Sequence, residues 1–329
     1  VEISDESKKF LLDFIEERAS IQFNELLEHS GCDSSFPEDP SSCFENIGWL
    51  IKTEQCIRQQ EIIYNDRTEL FESYLDDWVD GNYKISDEIK DRYIVLLVPG
   101  LFTGFYSTLA GYFYDNIAAL EKLGITAMKL DEIDTFSSIH SNCIVIEKKV
   151  KSLLAMEEHK SKKIIFFGHS KGGTDCISAL CLKENNLAAS GLIAGCICVQ
   201  APIGGTPFAK KIKFLRSLKG VRAVNDLNYL ERKRFIDLHP LNIIKENNIP
   251  VLCIVSEMIE PTGWLQKNIK LLQVHSKINC DGLVVPIDAI IPDSDVVTLQ
   301  GIDHANTVFS RLRICIEDER KSPGSLTIA

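Results

Sequence analysis

No run of this chain is long and apolar enough to cross a bilayer as a helix, and its overall charge does not favour a polyanion. Its longest apolar stretch, Gly191–Val199, falls far short of the roughly 20 residues a membrane-spanning helix needs. Positive charge is in deficit: 36 Lys and Arg stand against 47 Asp and Glu, a formal net charge of −11. That argues against a nucleic-acid surface, because phosphate binding needs clustered cations. There is no His-Glu-x-x-His pair, and Cys196-x-Cys198 alternates along an apolar strand-like run, the wrong pattern for a zinc knuckle. No phosphate-cradling loop and no dinucleotide fingerprint occur, so no cofactor is expected. The first residues, Val1-Glu2-Ile3-Ser4-Asp5, lack the apolar core of a signal peptide. A cytoplasmic location is expected, with a removed transit peptide left open.

The eleven cysteines are odd in number, and most lie in apolar segments. They read as buried, reduced thiols of an intracellular protein. Cys32, Cys43 and Cys56 sit in a more polar region, where one surface disulfide is left open. Acidity is uneven: residues 1–92 carry 23 acidic and 9 basic side chains, so the remainder is close to neutral.

From about Arg92 onward, apolar strand-like runs alternate with helical patterns. Strands are expected at 93–98, 125–129, 164–167, 192–199, 250–256 and 295–300. Helices are expected at about 105–123, 141–159, 171–186 and 304–319. Such alternation predicts a mainly parallel, doubly wound sheet with helices on both faces. Ahead of it, residues 1–91 read as an acidic helical extension. One helix lies within 5–30, where Phe10, Leu11, Phe14 and Ile15 share a face, and another lies from about 45 to a stop at Asp80-Gly81-Asn82. The catalytic domain is expected over 92–320, with a loose tail at 321–329.

Residues 164–173 read Ile-Ile-Phe-Phe-Gly-His-Ser-Lys-Gly-Gly. Four apolar residues followed by G-x-S-x-G, with a helical pattern beyond, fit a nucleophile elbow. There the serine sits on a turn so sharp that only glycines fit beside it. Such an elbow requires an acid and then a histidine later in the chain. Asp281, in Asn-Cys-Asp-Gly-Leu-Val, precedes the last strand, and His304, in Gly-Ile-Asp-His-Ala, follows it. Glu257, at the end of the strand 250–256, and Asp288 are rivals for the acid. His169 is expected to pack beside the elbow, His239 to be structural, and the Lys171 side chain to point to solvent or to the pocket rim.

With Tyr93–Val98 ending in Pro99-Gly100-Leu101 and with Pro202-Ile203-Gly204-Gly205-Thr206-Pro207 after the next strand, the chain resembles an α/β-hydrolase of the lipase and esterase branch. The likeness spans about residues 92–315. It implies an α/β-hydrolase fold, a nucleophile at Ser170 with Asp281 and His304, and an oxyanion hole from the Leu101 and Lys171 N–H groups. Pro99 stands where that family usually has histidine. The likeness further implies a helical lid in the insertion 207–247 and a small-molecule or lipid-like ester as substrate. Within the insertion, residues 210–234 hold nine cations against Asp226 and Glu231. This segment is read either as a contact for a membrane or an anionic ligand, or as a surface helix that meets water or the acidic N-terminal region. Docking of that N-terminal region near the lid is expected. Acyl transfer by the same acyl-enzyme, and a non-catalytic receptor or interaction role, remain open alternatives.

Overall fold

The computed structural model describes residues 62–101, 111–209, 221–258 and 279–309. Their centre is a seven-stranded sheet made of β1 (Asn65–Asp66), β2 (Tyr93–Val98), β3 (Thr126–Lys129), β4 (Lys163–His169), β5 (Ile193–Val199), β6 (Val251–Glu257) and β7 (Asp295–Gln300). The spatial order is β1-β7-β6-β5-β4-β2-β3, and every pairing is parallel. Strands covered on both faces read as nearly unbroken apolar runs, as Tyr-Ile-Val-Leu-Leu-Val in β2 does. Their side chains alternate between two cores. Ile94, Leu96, Val98, Phe166, Cys198 and Val255 face one side, while Val95, Leu97, Phe167, Val199 and Ile254 face the other.

Helices cover both faces: α1 (Thr68–Val79), α2 (Asp87–Arg92), α3 (Tyr114–Lys122), α4 (Ile139–Leu154), α5 (Lys171–Cys181), α6 (Val221–Asn225), α7 (Tyr229–Leu238) and α8 (Asn242–Glu246). α4 starts where the Ser138 hydroxyl accepts the Ser141 N–H, an N-cap that satisfies one orphan donor. It buries Ile139, Cys143, Ile146, Val150 and Leu153, the three- and four-residue spacing of one helical face. α5 is buried along its whole length, as a central helix must be when it lies between the sheet and other helices.

The direction of strand growth reverses between β2 and β4. β3 lies outside β2, and the chain then returns to β4 and builds away through β5, β6 and β7. In an open parallel sheet, the carboxyl ends of the strands at such a reversal flank a crevice. Gly100 follows β2 there and Ser170 follows β4.

The expected strands are found within a residue or two. The expectation that the sheet begins near Arg92 is corrected: β1 pairs Asn65 with Asp295 and Asp66 with Val296. Two polar residues carry no period-2 signal, and Asn and Asp are poor strand formers. The second expected helix, placed at 45–80, is cut by this strand, because the Asp66 carboxylate accepts the Thr68 N–H at 2.9 Å and α1 starts only there. The first part of that helix, the N-terminal one at 5–30, the core of the basic segment at 210–220 and the tail at 321–329 lie outside the described residues, as do Cys32, Cys43 and Cys56. The part of the N-terminal region that is described, residues 62–92, borders β7 at the outer edge of the sheet through β1 and α1. Helix 141–159 ends at Leu154, with a separate 3-10 turn at Glu157–His159, and helix 171–186 ends at Cys181. Of the helix expected at 304–319, the described residues 304–309 form turns.

Among the described residues, Cys143, Cys176, Cys181, Cys196, Cys198, Cys253 and Cys280 are free and buried. Burial pushes the Cys181, Cys253 and Cys280 thiols up to about 12, which leaves almost no reactive thiolate at neutral pH. Iodoacetamide should therefore leave these seven residues unmodified in the native protein and alkylate them in denaturant, as read by peptide mass spectrometry. Modification of any of them before unfolding would contradict this packing.

Candidate active site

β4 ends at His169, and Ser170 takes up φ 53°, ψ −130°, a region in which a residue with a side chain costs about 1–3 kcal/mol. Neighbours hold the turn. The Ser170 N–H donates to the Val199 carbonyl at 2.9 Å, and the Ser170 carbonyl accepts from Gly173 N–H at 3.0 Å. The glycines have a steric reason. A Cβ on Gly168 would lie 2.5 Å from Gly173 Cα, one on Gly173 would lie 2.6 Å from Ala201 Cβ, and one on Gly172 would run into the Val98 carbonyl oxygen. Gly100 faces the serine itself: an added Cβ would sit 2.8 Å from Ser170 Cβ. The turn after β2, which carries Leu101, thus lies directly against the half-buried serine.

Residues 281 and 304 are brought to this point by β6 and β7. His304 Nε2 lies 2.9 Å from Ser170 Oγ, and its Nδ1 lies 2.7 Å from Asp281 Oδ2. The other carboxylate oxygen, Oδ1, accepts the Leu283 and Val284 N–H groups at 2.8 and 2.7 Å. Asp281 is 1% exposed and His304 6%. Backbone fixes the pair further, since the His304 N–H donates to the Asp281 carbonyl at 2.9 Å. The two rival acids bond elsewhere. Glu257 accepts from Asn279 Nδ2 at 3.3 Å, and Asp288 accepts the Tyr229 hydroxyl at 2.7 Å. A hydroxyl, an imidazole and a carboxylate in this line can remove the serine proton while the carboxylate supports the positive charge that develops.

The Lys171 side chain corrects the expectation placed on it. It does not reach solvent or a pocket rim. It is fully buried, with Nζ 2.9 Å from both carboxylate oxygens of Asp175. Asn142 Nδ2 donates to the same carboxylate at 2.7 Å. Burial pushes the Asp175 carboxyl up, against the pull of Lys171 and of these hydrogen bonds. Nearby Arg232, 1% exposed, donates to the Ile203 carbonyl at 2.8 Å and to Ser178 Oγ at 3.3 Å, and burial draws its guanidinium down to about 10. Of the basic set in 210–234, Arg232 is therefore a core residue, while Lys233 pairs with Asp237 and Arg234 with Glu231. Asp226 accepts the Ile139 N–H at 2.7 Å. His239 packs against Phe235, with ring centroids 4.8 Å apart and planes tilted by 38°.

Three supporting residues escaped the sequence reading. Gln200, at φ 49° after β5, donates to Ser256 Oγ and to the Asp303 carbonyl at 3.0 Å, and accepts from Thr307 Oγ1 at 2.8 Å. Asp303 caps the turn after His304 by accepting the Ala305 and Asn306 N–H groups at 2.8 and 3.0 Å. The Tyr112 hydroxyl accepts the Gly100 N–H at 2.9 Å and lies 2.5 Å from His169 Nδ1. Asp303 stood beside the histidine in the sequence as a visible cue; Gln200 and Tyr112 had none.

No protein-family model matches the chain, and no curated protein sequence does. Solved structures do. A metagenomic carboxyl esterase superposes with a TM-score of 0.58 at 24% identity, over 69% of this chain and 68% of its own. A lipase of Bacillus licheniformis, in its mature form, gives 0.52 at 20% identity, over 68% of this chain and 89% of its own. The likeness is one of fold: the chain has the α/β-hydrolase fold.

Removing one partner of the buried Lys171–Asp175 pair strands the other charge. Asp175→Ala should lower stability by about 3–5 kcal/mol, read from urea unfolding. Lys171→Met combined with Asp175→Leu should recover most of that loss. A silent Asp175→Ala would show that the pair is not buried as described.

Proposed function

We propose that this protein is a serine hydrolase that cleaves carboxylic esters through an acyl-serine intermediate. The observation that carries the proposal is the unbroken line from Asp281 through His304 to Ser170 Oγ, with contacts of 2.7 and 2.9 Å, at the reversal point of an α/β-hydrolase sheet. In this reading, Ser170 Oγ attacks the acyl carbon as His304 Nε2 takes its proton. Asp281, its second oxygen held by two backbone N–H groups, keeps Nδ1–H directed and supports the imidazolium. The N–H groups of Leu101 and Lys171 receive the charge that builds on the carbonyl oxygen. Lys171 suits this role because its side chain is anchored beneath it. The Gly100 N–H is already engaged by the Tyr112 hydroxyl at 2.9 Å, so the next N–H along that turn is that of Leu101. His304 then gives its proton to the departing alkoxide. In the second half-reaction it takes one from the water that attacks the acyl-serine, and returns it to Ser170 Oγ as the acid leaves.

The bond class is supported by the two aligned structures, one a carboxyl esterase and the other a lipase. An ester with an apolar acyl group is the substrate class we favour. A fluorophosphonate probe should label Ser170 in the native protein. Ser170→Ala should abolish labelling and lower turnover of a short-chain ester by roughly 10⁴–10⁶-fold without unfolding. Labelling that persists in that variant would reassign the nucleophile.

The acid has its own test. Asp281→Asn should cost about 10⁴-fold in kcat, as loss of an orienting carboxylate does in serine proteases, while Glu257→Gln, bonded away from the imidazole, should cost far less. The reverse ranking, measured on the same ester, would move the acid to the end of β6.

A further inference from the structure

A second line of hydrogen bonds runs behind the serine, through two side chains that the mechanism above leaves unused. The Gly100 N–H donates to the Tyr112 hydroxyl at 2.9 Å. That hydroxyl lies 2.5 Å from His169 Nδ1, and His169 Nε2 lies 2.9 Å from the backbone carbonyl oxygen of His304. Tyr112 is 5% exposed and His169 3%. The chemistry allows one direction only. A carbonyl accepts, so Nε2 must carry the ring proton. A neutral imidazole then has Nδ1 as acceptor, so the tyrosine hydroxyl donates to it and uses its lone pairs for the Gly100 N–H. The opposite tautomer would set the Nε2 lone pair against the carbonyl oxygen, leaving both buried groups without a donor.

Position and charge agree with this arrangement. The Tyr112 ring is held edge-on between Phe113 and Phe309, with centroids 4.7 and 4.9 Å away. Burial first, and the neighbouring His304 second, hold His169 well below the usual histidine range, so it stays neutral. Burial also raises the Tyr112 phenol, which stays protonated. The line joins three separate segments: the turn that carries Leu101, the residue before Ser170, and the backbone of His304.

We propose that Tyr112 and His169 are positioning residues, a neutral one-way relay that keeps the turn after β2 and the His304 backbone in register with Ser170. This rests on the ester-hydrolase reading above. In that reading the proton acceptor arrives from β7 and one oxyanion donor arrives from β2, and both must meet the same acyl carbon. The relay is the hydrogen-bonded path that links those two arrivals through the elbow. A displacement of about 1 Å at such a site costs on the order of 100-fold in rate.

Tyr112→Phe removes one oxygen and keeps the ring; His169→Gln keeps a donor near the Nε2 position and loses the Nδ1 acceptor. On a short-chain p-nitrophenyl ester, each variant should lower kcat by about 10–100-fold with KM within about threefold. The double variant should be no slower than the slower single one, because both break the same line. Urea midpoints identify any variant that fails to fold, and either single variant suffices if the other does. A folded variant with wild-type kcat, or losses that multiply in the double variant, would overturn the relay. Imidazole ¹⁵N spectra test it without turnover: His169 should be neutral with its proton on Nε2, and a proton on Nδ1 would overturn the proposal. A wild-type protein that neither turns over esters nor takes the fluorophosphonate would instead defeat the hydrolase reading, while the ¹⁵N result would still decide the relay.

Discussion

The site depends on how closely the turn after β4 approaches the ends of the strands on either side of it. Backbone lies against backbone there, so positions 100, 168, 172 and 173 have no room for a Cβ, and the sequence supplies glycine at each. The residue left with a side chain, Ser170, takes the strained φ of 53°. Strain of this kind persists only where the surroundings over-determine it. Here they do: β4 is bonded along its length to β2 and β5, and α5 is buried on all sides. A looser turn would relax the serine back toward the sheet, and its hydroxyl would no longer meet His304.

Directly beneath the elbow lies a charge cluster that is costly to bury. An ion pair sealed from water gains little net stability over an apolar pair of the same volume, but breaking it is severe. Its effect is therefore on geometry more than on total stability. Lys171, locked to Asp175, fixes the first residue of α5 and with it the N–H that we propose as an oxyanion donor. Arg232 extends the cluster to α7, binding the connection between β5 and β6 to the Ile203 carbonyl and to Ser178. Asp226, on the Ile139 N–H, and Tyr229, on Asp288, add two more ties. Over residues 221–247 this insertion is therefore fastened to the core through Asp226, Tyr229 and Arg232, among other ties.

Much of this was legible in the sequence because the signals were local. Apolar β-branched runs marked the central strands, since strands buried on both faces cannot hide their composition. The spacing Gly168-x-Ser170-x-Gly172 marked the elbow, since its sterics leave few alternatives. Chain order then pointed to His304 but left Glu257 and Asp288 beside Asp281 as acids, and it is Asp281 that lies against the imidazole. What could not be read arises from distant contacts. β1 is two polar residues that become a strand only because β7 offers an edge. Lys171 carries the signature of a surface residue until Asp175, one helical turn on, and Asn142, from α4, surround it. Tyr112 and Gln200 gain their roles from partners that are remote in sequence, and no period or spacing encodes that.

His169 and His304 show how far environment, rather than residue type, assigns chemistry. Their ring centroids are only 4.9 Å apart, and both are buried. His304 has a carboxylate on Nδ1 and a hydroxyl on Nε2, so a proton gained at Nε2 would be answered at once by Asp281. His169 has a phenol on Nδ1 and a carbonyl on Nε2, so a second ring proton would turn Nδ1 into a donor and take from the Tyr112 O–H its acceptor, with no carboxylate to balance the charge. A cation at His169 would also oppose the imidazolium that forms on its neighbour in the proposed mechanism. Burial, and then the neighbouring His304, hold His169 neutral, and the Tyr112 phenol is a hydrogen-bond partner that brings no charge to upset that state.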